Sequence, residues 1–276
     1  MAFSVNTNAA ALSALQNLNK TGDSLQTVQR AVNTGLKVAS SKDNGAVFAI
    51  AQSLRADVAG INAAKSSIDR ALSTIDVAIA AGEAVSDLLI EMKEKAVAAK
   101  DSGLDTASRT SLNNDFGQLR DQITSIVSNA EFNGTNAVAN GGNDITAITN
   151  DNASSTLTIA AQDLSLTGTT VALSAGQGIA TAGAASSAVD NIESSIANVN
   201  TALSALGAGA NRLELQREFV SKLSDTIEIG IGNLVDADMA KQSANLQALQ
   251  VKQQLGLQAL SIANQAPQAV ISLFQG

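Results

Sequence analysis

Apolar residues recur at every seventh position along two long stretches of this chain. The first series is Val47, Leu54, Ile61, Ile68, Ile75, Gly82, Leu89 and Ala96, and the second is Ile192, Val199, Leu206, Leu213, Val220, Ile227 and Leu234. A companion series lies four residues on, clearest at Val58, Leu72 and Ile79 and at Ile196, Leu203 and Ala210. Such a/d spacing makes a narrow sticky seam along a helix. A helix of about 50 residues is roughly 75 Å long at 1.5 Å per residue. The pattern therefore predicts a shaft rather than a compact globule with a pocket. Its seam is expected at Leu54, Ile61, Ile68, Ile75 and Leu89 on one helix and at Val199, Leu206, Leu213, Val220 and Ile227 on the other. Spacing alone fits an ordinary two- or three-helix coiled coil, because heptads do not name a partner.

Shorter patterns fill the remainder. A helical stripe over 3–36 contains Val5, Leu12, Leu15, Leu18, Leu25, Val28, Val32 and Leu36. Gly35 and Ser40 to Gly45 interrupt it, and Asp43 or Asn44 is the candidate N-cap of the next helix, expected over 45–100. Asp101-Ser102-Gly103 reads as a stop and turn into a third, antiparallel helix over 106–130, with Leu112, Phe116, Leu119, Ile123 and Ile126 on one face. Character changes at Asn133-Gly134. Residues 132–186 are rich in Ser, Thr, Gly and Asn, and no Lys or Arg occurs between Arg120 and Arg212. Leu157/Ile159, Leu164/Leu166 and Val171/Leu173 alternate with small polar residues and predict short strands. Helix is expected to resume near 187, to break at Asp236 to Asp238, and to run again over 239–274 with Met239, Leu246, Leu249, Leu257, Leu260, Val270, Leu273 and Phe274. The fold class expected is mainly α, with a long antiparallel helical coiled coil and a small β-hairpin region.

Composition narrows the chemistry. Aromatics are 2% of the 276 residues, with six Phe and neither Trp nor Tyr, which suits thin helical packing by Ala, Leu, Ile and Val. Pro267 is the single proline, so nearly uninterrupted helix is allowed. Cys and His are absent, which removes disulfides, thiolate metal sites and His- or Cys-based catalysis. No cofactor, metal or catalytic residue is expected. The net charge of -8 and pI near 4.5 argue against nucleic acid, which needs a basic face. No stretch is long and apolar enough to insert into a membrane. Met1 to Ala10 shows no basic region followed by an apolar run, so no ordinary cleaved signal is expected. Glu91 and Glu94 stand among Lys93 and Lys95, and Asp236 and Asp238 at a helix boundary. Both pairs read as solvated or capping charges. Gly141-Gly142 reads as a turn, because a phosphate loop needs a Lys and a strand–loop–helix frame. Asn133-Gly134-Thr135 and Asn152-Ala153-Ser154 match the N-glycosylation triplet, a pattern frequent by chance.

The two ends are unusual. After Asp238 there is no acid, and Lys241 and Lys252 are the only bases, whereas Gln is abundant. Exposed helices normally carry a charged outer face. Amides can instead be buried against other polar helices without the desolvation cost of a charge. A narrow apolar stripe cannot by itself repay about 1–2 kcal/mol of backbone ordering per residue. Pairing residues 3–36 with 239–274 still leaves the amide faces wet, so the ends predict self-assembly and order gained on assembly. The expected assembly core is Val5, Leu12, Leu15, Leu18, Leu25 and Val32 with Met239, Leu246, Leu249, Leu260, Val270 and Phe274.

Several motifs resemble bacterial flagellins, in the right order. They are Ser4-Val5-Asn6-Thr7-Asn8, Thr34-Gly35-Leu36-Lys37-Val38-Ala39-Ser40-Ser41-Lys42-Asp43 and Phe132-Asn133-Gly134. Toward the other end come Ala210-Asn211-Arg212-Leu213-Glu214, Asp236-Ala237-Asp238-Met239-Ala240 and Ala263-Asn264-Gln265-Ala266-Pro267-Gln268. The match covers about 1–138 and 187–276, and the pattern around Lys93 to Lys100 resembles alphaproteobacterial members. The resemblance implies a structural subunit that polymerises with itself into the extracellular flagellar filament. It implies an inner domain from 1–43 and 236–276, a helical rod from 44–131 and 187–235, and a short outward-facing variable region at 132–186. It further implies export unfolded by the flagellar type III pathway, and contact with an export chaperone and with cap and hook–filament junction proteins. A hook–filament junction protein of the same fold and a secreted coiled-coil tip or adhesin protein are the alternatives.

Two further expectations rest on the same resemblance. Flagellins of this type are often O-glycosylated in the outer region, which makes Ser154, Ser155, Thr167, Thr169, Thr170 and Ser174 candidates. Many flagellins also carry a segment gripped by the vertebrate flagellin-sensing Toll-like receptor. Here it corresponds to Leu89-Ile90-Glu91-Met92-Lys93-Glu94-Lys95-Ala96-Val97. Glu91 stands where the recognised pattern has arginine and Lys95 where it has leucine, so weak recognition is expected.

Overall fold

A computed structural model describes residues 7–274, with side chains described over 7–265. In chain order the elements are α1 (Ala9–Thr34), α2 (Gly45–Ala99), α3 (Thr106–Asn129), β1 (Ile145–Ile148), β2 (Thr156–Ile159), α4 (Ala182–Val235) and α5 (Met239–Phe274). The chain is mainly helical with one small antiparallel sheet, the class the periodicity predicts. Two helix starts differ from the expected positions, each for a local reason. α1 begins at Ala9, where the Asn8 side chain accepts the Ala11 N–H at 3.1 Å; residues 3–6 of the predicted helix lie outside the described residues. α4 begins at Ala182 rather than near 187, because the Thr181 hydroxyl accepts the Ala184 N–H at 3.1 Å and caps it.

The chain divides into two compact units, one from residues 1–56 and 227–276 and the other from 57–226. In the first, α1 and α5 pack antiparallel. The Asn8 amide donates to the Ala263 carbonyl at 2.7 Å. Gly256 leaves room for Leu18, whose Cδ1 lies 3.1 Å from where a Cβ would stand. Gly35, at φ +73, ends α1 in the left-handed conformation that glycine adopts without strain, and its N–H returns to Ala31 O at 2.9 Å. Beyond it the backbone is pinned. The N–H groups of Lys37 and Val38 both donate to Val235 O, at 2.7 and 3.3 Å, and the Ala237 N–H donates to Gly35 O at 2.8 Å. The two candidate caps of α2 divide the work. Asn44 accepts the Val47 N–H at 3.1 Å. Asp43 instead ties the loop, accepting from Ala39 N–H, Ser40 N–H and Ser40 Oγ at 3.1, 2.9 and 3.1 Å and pairing with Arg30 at 2.8 Å.

In the second unit α2 and α4 run antiparallel. Lys93 pairs with Glu193 at 2.8 Å, and Asp69 with Arg217 at 2.5 Å. At Gly82 the heptad has no side chain, because a Cβ there would lie 2.7 Å from Leu203 Cδ2. Phe116, Ile123 and Val127 bury one face of α3. The Asp105 carboxylate caps α3, accepting from Ser108 N–H at 2.9 Å. That backbone bond, followed by the Ser108 hydroxyl bond, holds its pKa below the ordinary aspartate value. The end of α2 is closed by Arg109, whose guanidinium donates to the carbonyls of Ala99, Asp101 and Leu104 at 2.6, 2.9 and 3.2 Å. These are carbonyls that no helical N–H can reach.

The non-helical segment begins with a tight hairpin. Phe132 and Thr135 exchange both N–H···O bonds at 3.0 Å, and Asn133 and Gly134 have φ of 49 and 79°. Paired positive φ is the type I′ requirement that Asn-Gly meets. β1 and β2 pair from Ile145↔Ile159 to Ile148↔Thr156. The strands expected at Leu164/Leu166 and Val171/Leu173 are not formed; one isolated bridge joins Leu166 and Val171. The Leu164 N–H donates to Val138 O and the Thr167 N–H to Leu173 O, at 2.9 and 2.8 Å, and helix side chains take further bonds. Ala172 N–H donates to Ser195 Oγ at 2.9 Å, Ile179 N–H to Asn113 Oδ1 at 2.7 Å, and Asn198 donates to Thr170 O at 3.3 Å. Leu164, Val171 and Leu173 are buried all the same, so apolar anchoring replaces strand pairing.

Two glycines of α4 give a controlled test of this packing. A Cβ on Gly209 would lie 2.9 to 3.1 Å from three side-chain atoms of Ile159, whereas one on Gly207 would meet nothing within 4 Å. Gly209→Ala is expected to destabilise the second unit by about 1–3 kcal/mol through overpacking. Gly207→Ala, in the same helix, should stabilise by about 0.5–1 kcal/mol. Thermal or denaturant unfolding of the two variants checks the opposite signs.

Candidate assembly surface

The expected seam residues are distributed over both units. Ile61, Ile68, Ile75, Leu89, Val199, Leu206, Leu213 and Val220 are buried in the second unit. Leu54 and Ile227 are half-buried and belong to the first.

The terminal helices carry a different surface. Leu25 is buried, and Leu18, Val32, Leu246, Leu249 and Leu260 are half-buried. Leu12 is 63% exposed, and Leu15 and Met239 are exposed as well. Val5 lies outside the described residues, as do the side chains of Val270 and Phe274. α5 also exposes Val251, Leu255, Leu257 and Ile262, the last at 69%. The sequence reading singled out Leu257 among these and missed Val251, Leu255 and Ile262. A signal was present: Leu255 and Ile262 are seven apart and off the stripe that meets α1. A helix with apolar residues on more than one face calls for more than one neighbour.

Charges do not assemble into a reactive centre. Glu193 is held below the ordinary glutamate range first by the hydrogen bond from Lys93 and then by its charge. Glu218 is lowered in the same way by Lys222, at 2.6 Å. Among the described residues no cluster of three or more His, Cys, Asp or Glu could hold a metal, and no helix is long and apolar enough to cross a membrane.

Glu91 is exposed and Lys95 half-buried. They line a shallow groove of about 220 Å³ with Asp115, Gln118, Leu119 and Gln122 of α3. Leu89, Met92 and Ala96 face inward, which leaves Ile90, Glu91, Glu94 and Val97 as the outer face of this segment. Of the candidate modification sites, Ser154, Ser155, Thr167, Thr169 and Ser174 are exposed, whereas Thr170 is buried at 7%. The Ser154 and Ser155 hydroxyls accept from the Asn150 amide and the Thr149 hydroxyl at 2.7 and 3.0 Å.

Comparison with known proteins agrees with this architecture. The bacterial flagellin N-terminal helical region family matches residues 5–141, and the C-terminal helical region family matches 189–274. The chain is 47% identical over 272 residues to flagellin FljK of Caulobacter vibrioides, covering 99% of this chain and 98% of that one. It is 34% identical over 282 residues to a flagellin of Brucella melitensis, covering 99% of each. Among solved structures, the fold is shared with Bacillus cereus flagellin, at TM-score 0.50 and 23% identity over 56% of this chain and 88% of that one. It is also shared with a flagellar hook-associated protein of Vibrio parahaemolyticus, at TM-score 0.59 and 15% identity over 70% and 100%. With both helical regions matched in order and relatives aligned from end to end, the chain belongs to the bacterial flagellin family, as a structural subunit of the extracellular flagellar filament rather than an enzyme.

Proposed function

We propose that this chain polymerises with itself through the terminal helices, with neighbouring copies covering the apolar faces that α1 leaves open on α5. The exposure of Val251, Leu255, Leu257 and Ile262 on a charge-poor helix carries the reading. On it, residues 1–43 and 236–276 form the inner domain, 44–131 and 187–235 the helical rod, and 132–186 the outward-facing region. Export follows the flagellar type III pathway without a cleaved signal, assisted by a chaperone. Cap and hook–filament junction proteins meet the two ends of the polymer. Purified protein is expected to grow from filament seeds without nucleotide or metal. Leu246→Asp, which places a charge where α5 meets α1, should abolish growth. Limited proteolysis should trim both ends of the monomer and spare those of the filament. Normal growth of the Leu246→Asp protein, seen by electron microscopy, would sink the reading.

The outward-facing region is proposed to carry O-linked sugar on one or more of Ser154, Ser155, Thr167, Thr169 and Ser174, with the buried Thr170 the least accessible. Trypsin leaves residues 121–212 as one peptide, because no Lys or Arg lies between Arg120 and Arg212. Mass spectrometry of protein from the native host should find that peptide heavier than its sequence; an intact mass equal to the bare chain refutes the proposal.

Recognition by the flagellin-sensing Toll-like receptor is proposed to be weak. An acid at Glu91 cannot supply a guanidinium fork and repels receptor carboxylates. Lys95 removes an apolar contact. Loss of one anchor commonly costs about 2 kcal/mol, roughly thirtyfold in affinity. Reporter-cell titration should show a half-maximal response at much higher concentration than a strongly recognised flagellin. The double change Glu91→Arg with Lys95→Leu should recover most of the difference.

A further inference from the structure

α4 carries an apolar ridge that the second unit does not use. Leu215, Phe219 and Leu223, each four residues from the next, are 67, 57 and 38% exposed. Residues at this spacing form one row on a helix surface and pack into a groove of a neighbouring helix. Beside the row lies a groove of about 460 Å³, lined by Lys65 and Leu72 of α2 and by Glu214, Arg217, Glu218 and Ser221 of α4. Ridge and groove are about a third of a turn apart around α4, at 3.6 residues per turn.

Resting on the reading that the chain polymerises, we infer that the Leu215–Phe219–Leu223 ridge of one copy seats in the Lys65–Leu72–Arg217 groove of the next. Three features commit the ridge to a second copy. The charges around it are of mixed sign, and two pairs of them are closed within the chain, Arg217 on Asp69 at 2.5 Å and Glu218 on Lys222 at 2.6 Å. They leave little to attract a nucleic acid or an acidic surface. The ridge presents on the order of 300 Å² of apolar surface, well below the about 800 Å² per partner of a stable pair. It therefore does not hold a free dimer together, but repeats once per subunit in a polymer. The groove suits the ridge: Leu72 and the aliphatic stems of Lys65 and Arg217 give apolar contact, and the Lys65 ammonium favours the face of the Phe219 ring. With the two surfaces on adjacent sides of one helix, parallel copies use the ridge of one and the groove of the next. Such a contact is heterologous, and with a rise along the axis between copies it propagates as an open helix rather than a ring.

The test uses full-length protein with Phe219→p-benzoylphenylalanine, a photocrosslinker that keeps the phenyl ring and extends it into the exposed space. Irradiated filaments should yield a dimer-mass adduct whose peptides map to residues 65–72 or 214–221, and irradiated monomer should not. In parallel, Leu215→Ser with Phe219→Ser should raise the monomer concentration needed for seeded growth at least tenfold. Helicity and unfolding midpoint of the monomer should not change, since both side chains are exposed. Seeded filaments of the crosslinker-bearing protein that yield no intermolecular adduct on irradiation, an adduct mapping elsewhere, or an unchanged growth threshold in the double variant overturns the inference alone. Failure of the wild-type protein to grow from seeds overturns the polymerisation reading and the inference with it.

Discussion

A 36-residue helix with apolar side chains on more than one face cannot be satisfied by one partner helix, and α5 is such a helix. α1 covers the face that includes Leu246, Leu249 and Leu260, with Gly256 admitting Leu18. Val251, Leu255, Leu257 and Ile262 stay more than half exposed. Water opposes that exposure by about 25 cal/mol for each Å² of apolar surface. The polar positions of α5 answer the same constraint. Gln side chains can be enclosed by further helices and still donate and accept, whereas Lys or Glu would resist enclosure. A helix built this way suits packing among copies of the same chain.

The second unit obeys a different rule along its seam, which closes within the unit. Its seam is fully buried from Ile61 to Leu89 and from Val199 to Val220. Where helices or loop approach too closely for a side chain, the sequence has glycine: Gly82 against Leu203, Gly209 against Ile159, and Gly60 against the Asp151 carbonyl. Where the loop cannot form a ladder, helix side chains supply the bonds. Ser195 both accepts from Ala172 N–H and donates to Asn191 O, at 2.9 and 2.7 Å, so a fully buried hydroxyl has both roles filled. This unit can remain folded whether or not copies surround it.

That contrast also explains what could be read from the sequence. The helices and their seam were legible because a period near 3.5 residues is imposed by burial along one line, and that line is where Ile68, Ile75, Leu206 and Leu213 lie. The change of character at Asn133-Gly134 was legible in composition and in the family resemblance, whereas the positive φ at both positions, which Asn-Gly suits, is a finding of the structure. Leu164 to Leu173 misled: alternation marks which side chains point inward, not where the backbone bonds go, and here the Leu164 N–H donates to Val138 O, the Ala172 N–H donates to Ser195, and Thr170 O accepts from Asn198. β1 was missed because its inward positions are Ile145 and the small Ala147, and Ile148 falls on the other face, which blurs the alternation. Thr170 looked like any other threonine in a polar run, since nothing local says that its side chain is turned inward. The second face of α5 was missed because a single stripe was sought in a helix that has more than one.

Helices as long as α1 and α5 raise a question of order, since starting a helix costs far more than extending one. The chain answers it where the two meet. Gly35 O accepts the Ala237 N–H at 2.8 Å, Val235 O accepts from Lys37 and Val38, and the Lys37 ammonium adds a bond to Asn233 O at 3.0 Å. Asp238 caps the first turn of α5 by accepting the Lys241 N–H at 3.0 Å. These bonds join the junction after α1 to the end of α4 and the start of α5, far from the paired ends near Asn8 and Ala263. The last turn of α1 and the first turn of α5 are thus fixed in antiparallel register, and each further residue gains a bond without a new nucleus. On the proposed polymerisation, ordering the two helices is propagation from these prebuilt ends, with neighbours supplying apolar contacts along α5.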